Sequence, residues 1–494
     1  MTLSHSKKQF LKYKKLKKNF LFFEKINNFR FDPIPKFMEI VNTTKFSFLY
    51  ESVEKGKDKG RYSFCGYQEI DKIILNNNTL SYSSGSARKE TNLGVKGLNK
   101  INEIIKKNTF EKNKSLPPMS SGYFGFIGYE NIKRIENISK KIKKNDLKIP
   151  DILLFLPKFI LILDNQKNIF YIIQHVDFKN KTDLNFEDLK SNMQILKHNF
   201  SKVTKLKDMN LKKKIKVNIR SNISKKNFIK NINIAKKYIK NGDIFQVVPS
   251  QRFETEYNLK AIDLYRSLRR LNPSPYLVNL NFNKFGIVAS SPELMVQLRN
   301  KKVTIRPIAG TRRRGKNITE DMNLSKNLLS DKKELAEHLM LLDLGRNDVG
   351  RVSKKNSVKV TEKMIIEYYS HVMHIVSNVE GSIENKLDAI DALIAGFPAG
   401  TVSGAPKIRA MEIIEELENV NRSFYAGCMG YFDSNGDMDT CISLRTGLVK
   451  NKKLYIQAGA GVVYDSIPKN EHLEILNKAG ALMAAAKNSY KYSE

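Results

Sequence analysis

Long apolar runs are missing from this chain. The best stretch, residues 152–163, is broken by Pro157 and Lys158, whereas a spanning helix needs about 20 predominantly apolar residues. No membrane span is expected. The lysine-rich N-terminus has no apolar segment behind its charges, so it is not expected to act as a secretory leader. Cysteine is scarce: Cys65, Cys428 and Cys441 are odd in number and unpatterned, so neither a disulfide framework nor a cysteine metal site is expected, and a reducing cytoplasm fits. No internal repeat is present. Residues 397–407, FPAGTVSGAPK, lack the Gly-Lys-Ser/Thr ending of a phosphate loop, which argues against a nucleoside triphosphate site. Acidic residues are few, 50 against 86 Lys+Arg, leaving a net charge of +36.

That charge raises a nucleic-acid reading, yet no nucleic-acid motif accompanies it. Two thirds of the excess lies before residue 225, in clusters at 7–18 and 202–226. A solvated lysine-rich surface accounts for such clusters, and a basic arm that binds nucleic acid is the distant alternative. With 494 residues the chain can bury a large core, as one big domain or two interlocked ones. Residues 1–30 read as a poorly ordered basic N-terminal arm, 31–180 as short strands and turns, 181–224 as a lysine-rich connector, and 225–488 as long helices alternating with strands. Asn435-Gly436 predicts a hairpin between strands at 428–432 and 441–448. A turn at 450–452 then leads into a strand at 454–463. Short turns between strands imply an antiparallel meander, and hence an α+β fold.

Two acidic pairs stand out. Glu334 and Glu337 precede an apolar helical run, and a buried carboxylate there needs a cation or hydrogen-bond donors. Glu334 has a second reading as part of a capping box begun by Asp331. Glu471, Glu474 and Lys478 share one helical face behind Pro468, where a surface salt bridge is the bland alternative. Carboxylates without histidine or cysteine partners suit a hard, oxygen-seeking ion, magnesium by default. Gly310-Thr311 follows a strand, and Gly459 and Gly461 let a backbone approach a ligand closely. Pro406, read at the first turn of a helix with Thr401 just before it, offers an anion cradle. His371 and His374 point to opposite strand faces, so they cannot share a pocket. Arg445, alternating with Ser443 and Cys441, requires an anion if buried.

These stretches together, "GDIFQVVPSQRFE" (242–254), "SSPEL" (290–294), "RPIAGTRRRG" (306–315), "DKKELAEHLMLLDLGRNDVGRV" (331–352), "HVMHIVSNVEG" (371–381), "FPAGTVSGAPKIRAMEII" (397–414), "YAGCMGYFD" (425–433) and "AGAGVVYDSIPKNEHLE" (458–474), resemble the chorismate-utilising enzymes. The likeness is greatest to the anthranilate synthase component I family and covers essentially all of 225–488. "YESVEKGKDKGRYSFCGY" (50–67) and "SGYFGFIGYE" (121–130) resemble that family's regulatory portion more loosely. The resemblance implies two large antiparallel β-sheets packed orthogonally with helices outside. It implies that chorismate and ammonia give an aminodeoxyisochorismate, which loses pyruvate to leave anthranilate. Glu337 and Glu474 would hold magnesium, with Glu334 and Glu471 ordering its waters. Gly310, Thr311, Tyr425, Arg445, Gly459, Ala460, Gly461 and Lys478 would bind the substrate, with Thr401 beside them. Glu293 would donate the proton that releases the C4 hydroxyl, and His374 would remove one in the elimination.

The same resemblance implies tryptophan as feedback inhibitor at Ser52 and at Pro275, Tyr276 and Leu277, the leucine replacing a methionine of similar volume. Two positions separate the family's activities. Water-adding members carry a lysine where this chain has Gln246, and aminodeoxychorismate synthases carry a nucleophilic lysine where it has Ala309; neither residue here can deprotonate water or attack C2. Isochorismate, salicylate and aminodeoxychorismate synthases are the alternatives within the family. No glutaminase nucleophile on a glycine-rich turn is found, since Cys428 reads as strand. A separate glutamine amidotransferase subunit, and so a hetero-oligomer, is therefore expected to supply ammonia.

Overall fold

The computed structural model describes residues 4–493 apart from 53–59, 86, 93–96, 112, 139–142, 144, 180–183, 203–216, 370–371 and 434. His371 and the middle of the 181–224 connector fall outside the described residues. All named strand pairs in it are antiparallel, as the short turns require.

One arm of the ladder runs through Ser250–Glu256, Lys453–Gly459, Thr446–Lys450, Phe285–Ser291, Tyr276–Phe282, Phe46–Glu51, Tyr62–Asn76, Ile152–Asp164, Ile169–Val176 and Phe20–Ile26. The other leaves Ile152–Asp164 through Tyr123–Ile127, Cys428–Phe432, Met438–Ile442, Leu294–Arg299, Lys302–Ile305 and Val372–Ser382, which carries Ile308–Arg313 and Lys359–Tyr368. The two sheets are not separate ladders. Tyr62–Asn76 and Ile152–Asp164 belong to both, and their pairing shifts register between Glu69 and Asp71, the bulge at which long strands change sheets.

Aromatic side chains from both arms fill one core; Phe48 stacks on Phe124 with ring centroids 4.2 Å apart. The helices Lys225–Lys240, Ala261–Leu271 and Pro468–Asn488 contribute apolar faces to a second cluster with the first arm. The halves interlock: Phe46–Glu51 pairs with Tyr276–Phe282, and Tyr123–Ile127 with Cys428–Phe432.

Two expectations are corrected, for the N-terminal arm and for the strand at 441–448, while the weak helical periodicity of residues 180–225 does correspond to a helix. The N-terminal arm is ordered: helix Lys7–Lys15 is capped by Ser6, Phe20–Ile26 pairs with Ile169–Val176, and Phe10, Phe20 and Phe22 are buried. Its lysines occupy one face of a helix whose other face reaches the core. In the connector, Phe186–Phe200 is a helix with a capping box from Asn185 to Asp188. The predicted strand at 441–448 is two strands, Met438–Ile442 and Thr446–Lys450, separated where Arg445 takes φ +47°.

Candidate active site

Glu293 sits between two strand ends, and burial pushes its carboxyl up to about 8, against the pull of the Thr401 hydroxyl, Lys478 and Arg445. Thr401 donates to its Oε1 at 2.9 Å. The sequence read Thr401 as part of an anion cradle with Pro406. Instead Thr401 lies on the separate turn Gly400–Val402, Pro406 caps the helix Lys407–Leu417, and Lys407 is bound to Asp348 at 2.7 Å. No cradle forms there because its two halves serve different partners.

His374 lies mid-strand opposite Thr311. Burial lowers its imidazole to about 4, assisted by Arg445 and Lys478 and opposed by the Gly310 carbonyl. Its Nδ1 is 3.0 Å from the Gly310 carbonyl oxygen and 3.0 Å from the Thr311 hydroxyl. A carbonyl only accepts, so Nδ1 carries the hydrogen and Nε2 keeps the lone pair. Gly310 can present that carbonyl because it occupies a bulge at φ +66°, where a Cβ would lie 3.2 Å from the Glu334 carboxylate.

The left-handed turn carries Arg445 out of the strand plane. Among the described residues its guanidinium has neither an ion-pair partner nor a hydrogen bond, and burial pulls it below the usual arginine range, with Glu293 and Tyr369 opposing. A partly buried cation beside a protonated carboxyl is short of an anion.

The glycine segment is close-packed. A Cβ on Gly459 would sit 2.8 Å from the Tyr425 hydroxyl and 3.0 Å from the Pro249 carbonyl. Lys478 donates to the Gly459 carbonyl at 3.1 Å and pairs with Glu474 at 2.7 Å. The Ala460 N–H is already given to Pro249, so Ala460 offers no donor to an anion; the Gly461 N–H has no acceptor among the described residues. Gln246 packs within 2.5 Å of where a Gly461 side chain would begin. Its Nε2 reaches Glu337 at 3.4 Å, and its carbonyl oxygen is buried without a partner.

Both acidic pairs face each other. Burial, then Glu334, then Glu474 raise the Glu337 carboxyl above its ordinary range, and burial raises Glu471, with Glu474 adding to it. Crowded carboxylates across two helices fit a divalent cation, which would relieve that repulsion. Among the described residues no three such groups converge closely enough to hold an ion unaided, so oxygen from another molecule is needed. Glu334 does not close a capping box; it accepts from Arg312 at 3.1 Å while Asp331 alone caps the helix. The helix that bears Glu471 and Glu474 is not dry all round, since Leu473 is 56% exposed.

A cavity of about 990 Å³ opens between the sheets, lined by Ser52, Pro275, Tyr276, Met429, Tyr431 and Asp439 among others. Leu277 faces the opposite side of its strand into the helix-covered core, so its side chain does not reach the cavity. The cavity wall includes Pro292 and Leu294, which flank Glu293, and Tyr369, whose ring lies 5.4 Å from that of His374. Tyr369 was not foreseen, because nothing in the Tyr368-Tyr369 pair marks either residue in sequence.

Residues 47–484 match the family model of the chorismate binding enzymes. Anthranilate synthase component 1 of Cereibacter sphaeroides is 43% identical over 473 residues, 92% of each chain, and that of Acetivibrio thermocellus 42% identical over 89% of each. Anthranilate synthase component I of Streptococcus pneumoniae superposes with a TM-score of 0.77 at 37% identity, covering 86% of this chain and 92% of that one. The menaquinone-specific isochorismate synthase of Escherichia coli shares the fold, with a TM-score of 0.69 at 17% identity over 97% of this chain and 98% of that one.

Proposed function

Because this chain belongs to the chorismate binding enzymes, and within them to the anthranilate synthase component 1 family, we propose that it converts chorismate and ammonia to anthranilate and pyruvate. The observation that carries this reading is the Arg445 guanidinium, left without an anion beside a Glu293 that burial holds protonated. A dianionic substrate supplies the missing charge. Arg445, the Gly461 N–H and Lys478 receive its carboxylates. Glu337 and Glu474 would hold magnesium, whose charge would neutralise and orient a substrate carboxylate.

Glu293 then gives its proton to the C4 hydroxyl, which leaves as water while both ring double bonds shift and ammonia bonds to C2, the new ammonium losing its surplus proton to solvent. Chemistry at this point favours ammonia over water as nucleophile. The orphaned Gln246 carbonyl oxygen accepts an N–H hydrogen but is too weak a base to activate water. In the second step the Nε2 of His374 takes the C2 proton as the C3–oxygen bond breaks. The ring becomes aromatic, and the enolpyruvyl group leaves as pyruvate on protonation at carbon.

The family name "component 1" supports a partner, and the glutamine amidotransferase expected from sequence is the partner we propose. No helix among the described residues is long and apolar enough to cross a membrane, which agrees with the cytoplasmic setting we propose. Tryptophan is proposed to occupy the cavity at Ser52, Pro275 and Tyr276, whose wall includes Pro292 and Leu294 on either side of Glu293, and Tyr369 beside His374.

Product identification tests the reading. Purified chain with chorismate, magnesium and ammonium should yield fluorescent anthranilate, and glutamine should not replace ammonium. Isochorismate or 4-amino-4-deoxychorismate as the main product would overturn it, as would glutamine use by the pure chain. Gln246→Lys should add some isochorismate.

A further inference from the structure

Arg422 is the largest fully buried side chain in the described structure, and its charge is wholly internal. Glu418, four residues earlier and just past the end of the helix Lys407–Leu417, accepts from its Nε at 2.9 Å and its Nη2 at 2.6 Å. Two further donors of the fork go to backbone carbonyls, Nη1 to Val402 at 2.7 Å and Nη2 to Val248 at 2.6 Å. Glu418 also accepts from the Ser250 N–H and hydroxyl at 2.8 and 2.7 Å. The guanidinium lies 4.8 Å from the ring centre of Tyr129 and 5.5 Å from that of Tyr425.

Three of these partners adjoin the site. Val402 follows Thr401, which holds the Glu293 carboxyl; Val248 lies two residues beyond Gln246; Tyr425 packs against Gly459. A buried ion pair is weak as a stabilising device, because desolvating two charges offsets most of their attraction, and an apolar pair of equal volume packs as well. What such a pair cannot do is bridge three separate backbone segments. Only a planar fork with five donors does that.

We infer that Arg422, oriented by Glu418, is a positioning residue that fixes the Thr401 turn against Glu293 and keeps Gln246 and Tyr425 in register with it. The inference rests on the proposed anthranilate-forming activity and adds a residue to it.

A double-mutant cycle tests the coupling, with turnover measured per folded protein. Arg422→Lys keeps the charge but cannot bridge Val402, Val248 and Glu418 together, so kcat should fall about 10- to 100-fold, the scale of a small misplacement of a reacting group. Thr401→Val should also lower kcat. If Arg422 acts through Thr401, adding Thr401→Val to Arg422→Lys lowers kcat by less than about twofold more, because the shared bond is already lost. Costs that multiply fully would overturn the assignment, as would wild-type kcat in folded Arg422→Lys. Should Arg422→Lys fail to fold, Glu418→Gln, which keeps the Ser250 bonds, takes its place in the cycle; failure of both to fold would make the pair a stability element and end the inference. A wild-type chain that makes no anthranilate would instead defeat the proposed function before the cycle begins.

Discussion

Glu293 and His374 show one cause acting in opposite senses. Burial disfavours whichever form is charged, so it raises the carboxyl to about 8 and lowers the imidazole to about 4. The acid is therefore protonated and the base neutral across the intervening range. With Glu293 needed protonated, kcat/KM should fall as pH rises through about 8; with His374 needed neutral, it should fall as pH drops through about 4. Glu293→Gln should remove most of the turnover at every pH, and a pH–rate profile still descending near 8 in that variant would assign the alkaline limb elsewhere. The acidic helices give a second test. Glu337→Gln removes a proposed magnesium ligand and also a like-charge repulsion with Glu334 and Glu474. Magnesium-dependent turnover should fall at least about 100-fold, while the melting temperature without magnesium stays equal or rises. Both are read from one purified variant, and unchanged turnover would remove Glu337 from the metal site.

At the scale of elements, hairpin and helix signals in the sequence were local and came through. Asn435-Gly436 does join Cys428–Phe432 to Met438–Ile442, and Pro468 does open the helix that bears Glu471, Glu474 and Lys478. The N-terminal lysines misled for a physical reason. Charge density along a sequence does not reveal that Phe10, on the other face of the helix, and Phe20 and Phe22, on the strand that follows it, enter the core. Removing residues 1–26 strips an edge strand and these aromatic side chains, each worth about 3–5 kcal/mol when fully buried. The truncated chain should therefore melt well below the full-length protein and aggregate. A truncated chain with unchanged melting temperature and turnover would show that this strand is dispensable.

For the whole molecule, the cavity and the active site share walls because two sheets meet through strands common to both. A ligand between the sheets thus has a short physical route to Pro292, Leu294 and Tyr369. Ser52→Phe fills part of the cavity without touching Glu293 or His374. It should raise the tryptophan concentration needed for inhibition by about tenfold or more, roughly 1.4 kcal/mol, while leaving uninhibited turnover near wild type. The chain contains no tryptophan of its own, so bound tryptophan is the only indole and its fluorescence reports occupancy directly. Wild-type turnover indifferent to tryptophan would end the regulatory reading.

The two carboxylate pairs, Gly310 and Arg445 stood out by residue type and spacing, as candidate hard-ion ligands, a tight backbone turn and a cation in need of an anion, whereas Glu293 and His374 were singled out as acid and base only through the family resemblance. So was the antiparallel character of the sheets, because short turns permit little else. Three things needed tertiary structure. Arg445 leaves its strand at a left-handed turn, Gln246 loses every partner for its carbonyl oxygen, and Arg422 finds carbonyls 20 and 174 residues away. Each depends on which distant backbone atoms surround a buried polar group. That environment sets desolvation and hydrogen bonding, and so decides whether a residue is satisfied, strained or waiting for substrate.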